Sequence, residues 1–193
     1  MKYSVYLAGS VVKGNHDKDK FISWREDFIK EVKNKNIDEL NIIFLDPNTI
    51  TYGDKIPTEI FFGRDVHMIH LSNALVIDAR NKMGLGTSQE FLIAKYFGIP
   101  VIAISPKNSY YNKVIEKEDG KTFHYLHPFL SSSSDIIVSD IQEAAQVFLG
   151  HISGKDLIQI KSIDLIEKTR KDYEENYLIY DDYMQECIRN INN

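Results

Sequence analysis

The chain has 193 residues, 43% hydrophobic and 26% charged, with a formal net charge of −5. That composition supports one sizeable core plus an appendage and excludes a disordered or collagen-like chain. It also argues against a surface for polymeric nucleic acid or anionic membrane, because both select for excess basic charge. One cysteine, Cys187, allows neither an internal disulfide framework nor a zinc spacing. The opening MKYSVYLAGS lacks the long apolar core of a secretory signal. No run approaches the roughly 18 apolar residues of a membrane span. A cytoplasmic protein with no membrane association is expected.

Tyr3 to Ala8 is short, β-branched and aromatic, and reads as a first buried strand. It ends in Gly9-Ser10, followed by a polar loop from Lys13 to Lys18. Gly-Ser at a sheet edge permits close approach of backbone to a ligand, although such a pair alone is more often a plain turn. Phe21, Trp24, Phe28, Ile29 and Val32 recur at helical spacing and place an amphipathic helix over about residues 19–35. Asn41 to Leu45 forms the second strand, closed by Asp46-Pro47. Asn48, Thr49, Thr51, Gly53 and Asp54 are turn formers. Pro57-Thr58 opens a helix reaching Leu71, with Arg64-Asp65 in its middle. His67 and His70 lie three apart on it, without a carboxylate or cysteine at diagnostic spacing, so no metal is expected.

Ala74 through Ile104 is the organising unit: an apolar run, a loop with Gly84 and Gly86, an amphipathic segment, and a second apolar run from Val101. The loop lies on the carboxyl side of its strand, the edge where open α/β sheets bind ligands. Thr87-Ser88-Gln89-Glu90 matches a capping box, which places Glu90 in the first helical turn. There the helix dipole would keep the carboxylate ionised. The same carboxylate, with glycines leaving room beside it, is chemically competent as a nucleophile toward an anomeric carbon. Asp78 ends the central strand, and Asp65 sits on the preceding helix. With Glu90 they form a carboxylate cluster; alternatively Asp65 pairs with Arg64 or Arg25, and Asp78 closes a turn.

Residues 106–125 read as a long loop or short hairpin, and Ser131 to Ser134 as a loop. Ile136 to Val138 is a last strand, and Asp140 caps a helix from Ile141 to Leu149. Gly150 to Gly154 marks a boundary. Asp156 to Ile191 is charged and helix-forming, with Leu165, Tyr173, Tyr177, Tyr180 and Tyr183 approximating one packing stripe. The alternation predicts an α/β fold: an open parallel sheet with helices on both faces, over residues 1–150, plus a C-terminal helical extension over 151–193. No G-x-G-x-x-G and no G-x-x-x-x-G-K-[ST] is present, which disfavours dinucleotide enzymes and P-loop proteins.

Tyr6-Leu7-Ala8-Gly9-Ser10, Arg64-Asp65, Gly86-Thr87-Ser88-Gln89-Glu90 and Gly98-Ile99-Pro100-Val101-Ile102 together resemble the nucleoside 2-deoxyribosyltransferase family. Its superfamily includes the 2′-deoxynucleoside 5′-monophosphate N-glycosidases. The resemblance covers about residues 3–105. It implies a flavodoxin-like fold and cleavage of an N-glycosidic bond, or base exchange, on a small-molecule nucleoside or nucleotide. Glu90 stands where the family has its nucleophile, and Asp65 where an aspartate handles base or sugar. Tyr6 and Gly9 match the family's N-terminal pocket wall, and Ser10, Asp78, Gly86, Thr87 and Ser88 are further candidate substrate-binding residues. The implied chemistry needs no metal or other cofactor, and the family's habit implies a homo-oligomer. Two positions depart from the family. Gly84 stands six residues before Glu90, where the transferases carry an aspartate and the N-glycosidases a serine. Val12 stands where the N-glycosidases carry an arginine. The alternative function on the same fold is a non-catalytic nucleotide-binding or sensing module.

Overall fold

The computed structural model describes residues 2–10, 23–36, 39–49 and 60–192. The expected loop at Lys13–Lys18, the residues before Ser23 in the first helix, the turn formers from Thr51 to Asp54 and the helix start at Pro57-Thr58 lie outside them. The described chain forms two compact units, residues 1–161 and 162–193.

Five parallel strands make the main sheet of the first unit: β1 (Lys2–Ala8), β2 (Asn41–Leu45), β3 (Ala74–Asp78), β4 (Val101–Ile104) and β7 (Ile136–Val138). Their order is β2-β1-β3-β4-β7. In chain order the five are second, first, third, fourth, fifth, the flavodoxin-like arrangement. The order reverses between β1 and β3, so the carboxyl ends of those two strands form the crevice.

Side-chain alternation divides β1 between two cores. Val5 and Leu7 pack with Trp24, Phe28 and Val32 of α1 (Trp24–Lys35) and with Ala144, Ala145 and Phe148 of α5 (Ile141–Ile152). Tyr6 and Ala8 face the other way, toward Ile69 of α2 (Ile60–His70) and Phe91 and Ala94 of α3 (Leu85–Tyr96). Burying each such large apolar side chain contributes about 1.5–3 kcal/mol, and the period of two fixes which face Tyr6 must take.

Helix α3 ends where Gly98 takes a left-handed φ of 68°. Ile99 N–H then donates to Ala94 O at 2.9 Å, satisfying a carbonyl the helix leaves free before Pro100 leads into β4. Below that turn Lys95 pairs with Asp135, both side chains wholly buried. Asp135 also accepts from the Val101 and Lys161 amides, at 2.7 Å each, and so ties α3 to the base of the sheet.

Residues 106–125 carry the short hairpin that the sequence offered as one alternative, β5 (Asn112–Glu116) antiparallel to β6 (Thr122–Leu126). Other expectations needed correction. The serine run is helical: α4 covers Pro128–Ser133, because Pro128 is preset for the first turn and Leu130 is buried beneath it. Asp140 does cap α5, accepting from Glu143 N–H at 2.8 Å. That helix runs through Gly150, however, to Ile152. A side chain at Gly150 would stand 3.1 Å from the Asp156 carboxylate, so glycine there makes room for the returning chain. Residues 157–162 are not helical. Ile158 instead joins the core, and Lys161 Nζ donates to the Ser131 and Ser134 carbonyls. In the second unit α6 (Leu165–Asn176) and α7 (Asp182–Asn192) are separated by a 3₁₀ turn at Leu178–Tyr180. The tyrosines therefore form no single helical stripe, and Tyr177, Tyr180 and Tyr183 are exposed.

Candidate functional site

The loop from β3 to α3 is held from the hairpin side. Tyr110 N–H donates to Arg80 O, and Met83 N–H donates to the Tyr111 hydroxyl at 2.9 Å. Gly84, with extended φ and ψ of −77° and 170°, serves as N-cap, and Ser88 N–H to Gly84 O closes the first helical turn. The capping box expected at Thr87–Glu90 is therefore absent. Thr87 lies inside the helix and is buried, and no side chain caps the helix. The helix starts at Leu85, directly after Gly84 in extended backbone. Glu90 consequently sits in the second turn, beyond the reach of the dipole's strongest field.

Its position is set by burial instead. Glu90 is 8% exposed, and its Oε1 accepts from the Tyr6 hydroxyl at 2.8 Å. Its Oε2 is buried with no hydrogen-bond partner among the described residues. Burial pushes the carboxyl up to about 7. The Tyr6 hydrogen bond opposes this, the Asp65 charge adds to it, and the more distant Arg25 charge offsets a little. The expectation of a carboxylate kept ionised by the dipole is thus overturned: the group is poised near neutrality. Tyr6 is pushed well above the usual phenol range, first by burial and then by the Glu90 and Asp65 charges. It stays protonated, as a donor to Oε1 must.

Three of the candidate residues, Tyr6 from β1, Asp65 from α2 and Glu90 from α3, meet on one face of the sheet. Asp65 is half-buried, and burial raises its carboxyl despite the opposing Arg64 charge and hydrogen bond. Arg64 Nη1 lies 3.3 Å from Asp65 Oδ1, so the neighbour pairing left open by the sequence is the one present. Asp78 stands at the end of β3, its two oxygens gripped by Arg80 at 2.8 and 3.0 Å. Gly9 is buried at the end of β1. A side chain there would come within 2.9 Å of the Trp24 indole nitrogen, so the glycine is required by packing. Ser10 is exposed, and its carbonyl accepts from Arg25. Gly86 and Ser88 lie exposed in the first turns of α3, the Ser88 hydroxyl donating back to Gly84 O. His67 and His70 are exposed, and no group of three potential metal ligands occurs among the described residues.

One residue at the site had no sequence signal of its own. Arg25, 2% exposed, reaches from α1 to the end of β1, donating to Leu7 O, Gly9 O and Ser10 O. The sequence offered it as an alternative partner for Asp65, whereas the structure pairs it with Asp46. Only its 3.2 Å pairing with Asp46, roughly 70 Å of extended chain away if unfolded, reveals the role.

No family model matches the chain, and no curated protein matches it. Among solved structures, that of a 2-desoxiribosyltransferase from Leishmania mexicana is similar, with a TM-score of 0.52 and 20% identity. The match covers 77% of this chain and 98% of that one. The two share a fold. At this identity the likeness establishes the flavodoxin-like architecture of the first unit. No helix among the described residues is long and apolar enough to cross a membrane.

Proposed function

We propose that the protein cleaves the N-glycosidic bond of a nucleoside or nucleotide, with Glu90 as nucleophile. The observation that carries this reading is Glu90 itself: one oxygen held by Tyr6, the other buried with no hydrogen-bond partner among the described residues, beside the β1–β3 crevice. Oε2 attacks the anomeric carbon. A carbon–oxygen bond forms as the carbon–nitrogen bond breaks, and the electron pair leaves on the base nitrogen. Asp65, whose carboxyl burial raises, supplies or relays the proton that the departing base takes up. A second base then attacks the glycosyl-enzyme, restoring the Glu90 carboxylate and completing exchange; water in its place completes hydrolysis. Two displacements retain the anomeric configuration. The shared fold of the Leishmania mexicana enzyme supports the same class of chemistry.

The test is to incubate purified protein with a panel of deoxynucleosides and ribonucleosides plus a second free base, separating products by chromatography. Free base or exchanged nucleoside is expected, and Glu90→Ala reduces it by at least about a hundredfold. Absence of both products across the panel refutes the reading. Because attack requires the carboxylate, the rate rises with pH through about 7. Gly84 favours a second reading, since it presents no side chain to hold a substrate's 5′ end. In that reading the site binds a nucleotide without turnover, and thermal stabilisation by nucleotides with no product formed identifies it. A homo-oligomer in the cytoplasm completes the proposal. Exposed Leu85, Leu92 and Tyr96 along one side of α3 support self-association, and sedimentation of the full chain measures it.

A further inference from the structure

We propose that Arg25, Asp46 and Arg64 form an ion-paired belt along the carboxyl edge of the sheet. The belt positions Asp65 and the end of β1 against Glu90. The proposal rests on the reading of Glu90 given above and names residues which that reading does not use.

The belt begins where β1 stops. Beyond Ala8 the strand loses its ladder partners, and the Leu7, Gly9 and Ser10 carbonyls need donors. Arg25 supplies all three from one guanidinium, at 3.0, 3.0 and 3.2 Å. Its planar fork matches such a curl of backbone, which the single ammonium of a lysine would not. A guanidinium this buried is costly unless paired, and Asp46 at the end of β2 is its counter-charge, 3.2 Å from Nε. Asp46 also accepts the Asn48 amide at 2.8 Å, and Thr49 N–H donates to Asp46 O, so the same carboxylate seats the Asp46–Thr49 turn. The outer carbonyls of that turn, Pro47 O and Thr49 O, accept from Arg64 at 3.2 and 2.8 Å. Arg64 then holds Asp65 Oδ1. Side chains from α1, β2 and α2 are thereby linked in one path from the β1 terminus to Asp65.

Two cations and two carboxylates balance within this path, whereas Glu90 has no ion pair among the described residues. The groups that act directly on Glu90 are Tyr6 on β1, through its hydrogen bond, and the charges of Asp65 on α2 and Arg25 on α1. Arg25 in turn feels Asp46, Tyr6, Glu90 and Asp78. Arg25 favours the Glu90 carboxylate, and Asp65 opposes it. The belt therefore has two effects: it fixes where Asp65 stands, and it sets how readily Glu90 gives up its proton.

The experiment uses the full chain with ¹³C-labelled glutamate, and Glu90→Gln identifies the Glu90 carboxyl signal. Its titration is followed in wild type, Arg25→Gln and Asp46→Asn. The Glu90 midpoint is expected to rise in Arg25→Gln, which removes a cation, and to fall in Asp46→Asn, which leaves the Arg25 charge without its counter-ion. A merely structural role gives no such opposite signs. Unchanged midpoints in the folded variants overturn the proposal. Should Arg25→Gln not fold, a midpoint in Asp46→Asn that fails to fall overturns it equally. In the exchange assay, Arg64→Lys keeps the charge but loses the fork. It is expected to lower kcat on the order of ten- to a hundredfold through misplacement of Asp65, with KM little changed. Wild-type kcat in Arg64→Lys overturns the positioning role. The titration needs no turnover, so a wild-type protein that exchanges nothing refutes the functional reading and leaves the charge test of the belt standing.

Discussion

Replacing Glu90 with glutamine removes a buried ionisable group while nearly preserving its shape, and the consequence for stability can be worked from the structure. In the unfolded chain this carboxyl titrates near its ordinary 4.5; in the folded protein burial raises it to about 7. Between those values the folded state holds a proton that the unfolded state has released. Stability therefore falls as pH rises through the interval and levels off above it. At about 1.4 kcal/mol per pH unit, the whole interval corresponds to about 3 kcal/mol, of which roughly 2.5 kcal/mol falls between pH 5 and pH 8. Glu90→Gln has no proton to lose there. Its amide carries its own cost for the unpartnered position, but that cost does not vary with pH. The variant's stability relative to wild type should thus climb by about 2.5 kcal/mol from pH 5 to pH 8. Urea unfolding at a series of pH values measures this, with the single tryptophan, Trp24, reporting from the core of the first unit. Parallel pH profiles for the two proteins would refute the claim that Glu90 is buried at the cost of its charge.

Tyr6→Phe removes the one hydrogen bond to Glu90 Oε1. Because that bond favours the carboxylate, the Glu90 midpoint and the lower limb of the pH–rate profile both move to higher pH. The loss of stability, about 1–3 kcal/mol, is greater above pH 7 than below it; equal losses at both ends of the range contradict the assignment. Gly9→Ala puts a methyl group 2.9 Å from the Trp24 indole nitrogen and against the same ring's carbons. Overpacking of this kind costs about 1–3 kcal/mol, visible as a lower urea midpoint with an altered Trp24 emission. An unchanged midpoint removes the packing explanation for the glycine.

Much of the fold was legible because its signals are local. Apolar runs at Tyr3–Ala8, Ala74–Ile77 and Val101–Ile104 alternate with helical periodicity, and that pattern alone implies a parallel sheet. Asp140 was legible as a cap because a cap needs only its own side chain and an amide three residues on. Thr87–Glu90 misled for the same reason. The box is a local pattern, but the true helix start was decided by Gly84 and by the hairpin side's hold on the loop, through Tyr111 to Met83. The serine run misled in reverse. Serine is a weak helix former, yet burial of Leu130 and the preset φ of Pro128 outweigh that preference.

By itself the sequence nominated the candidate site residues. It singled out Glu90, Asp65 and Tyr6 by type and position, and it determined the strand on which Tyr6 lies and hence the face it takes. Only the tertiary structure decided their state. Glu90 reads from its neighbours in sequence as an ionised cap. Packed under β1, with Tyr6 on one oxygen and no partner on the other among the described residues, it becomes an acid poised near neutrality. Desolvation depends on everything that encloses a group, and what encloses Glu90 comes from β1, α1 and α2, which meet it only when the chain has folded.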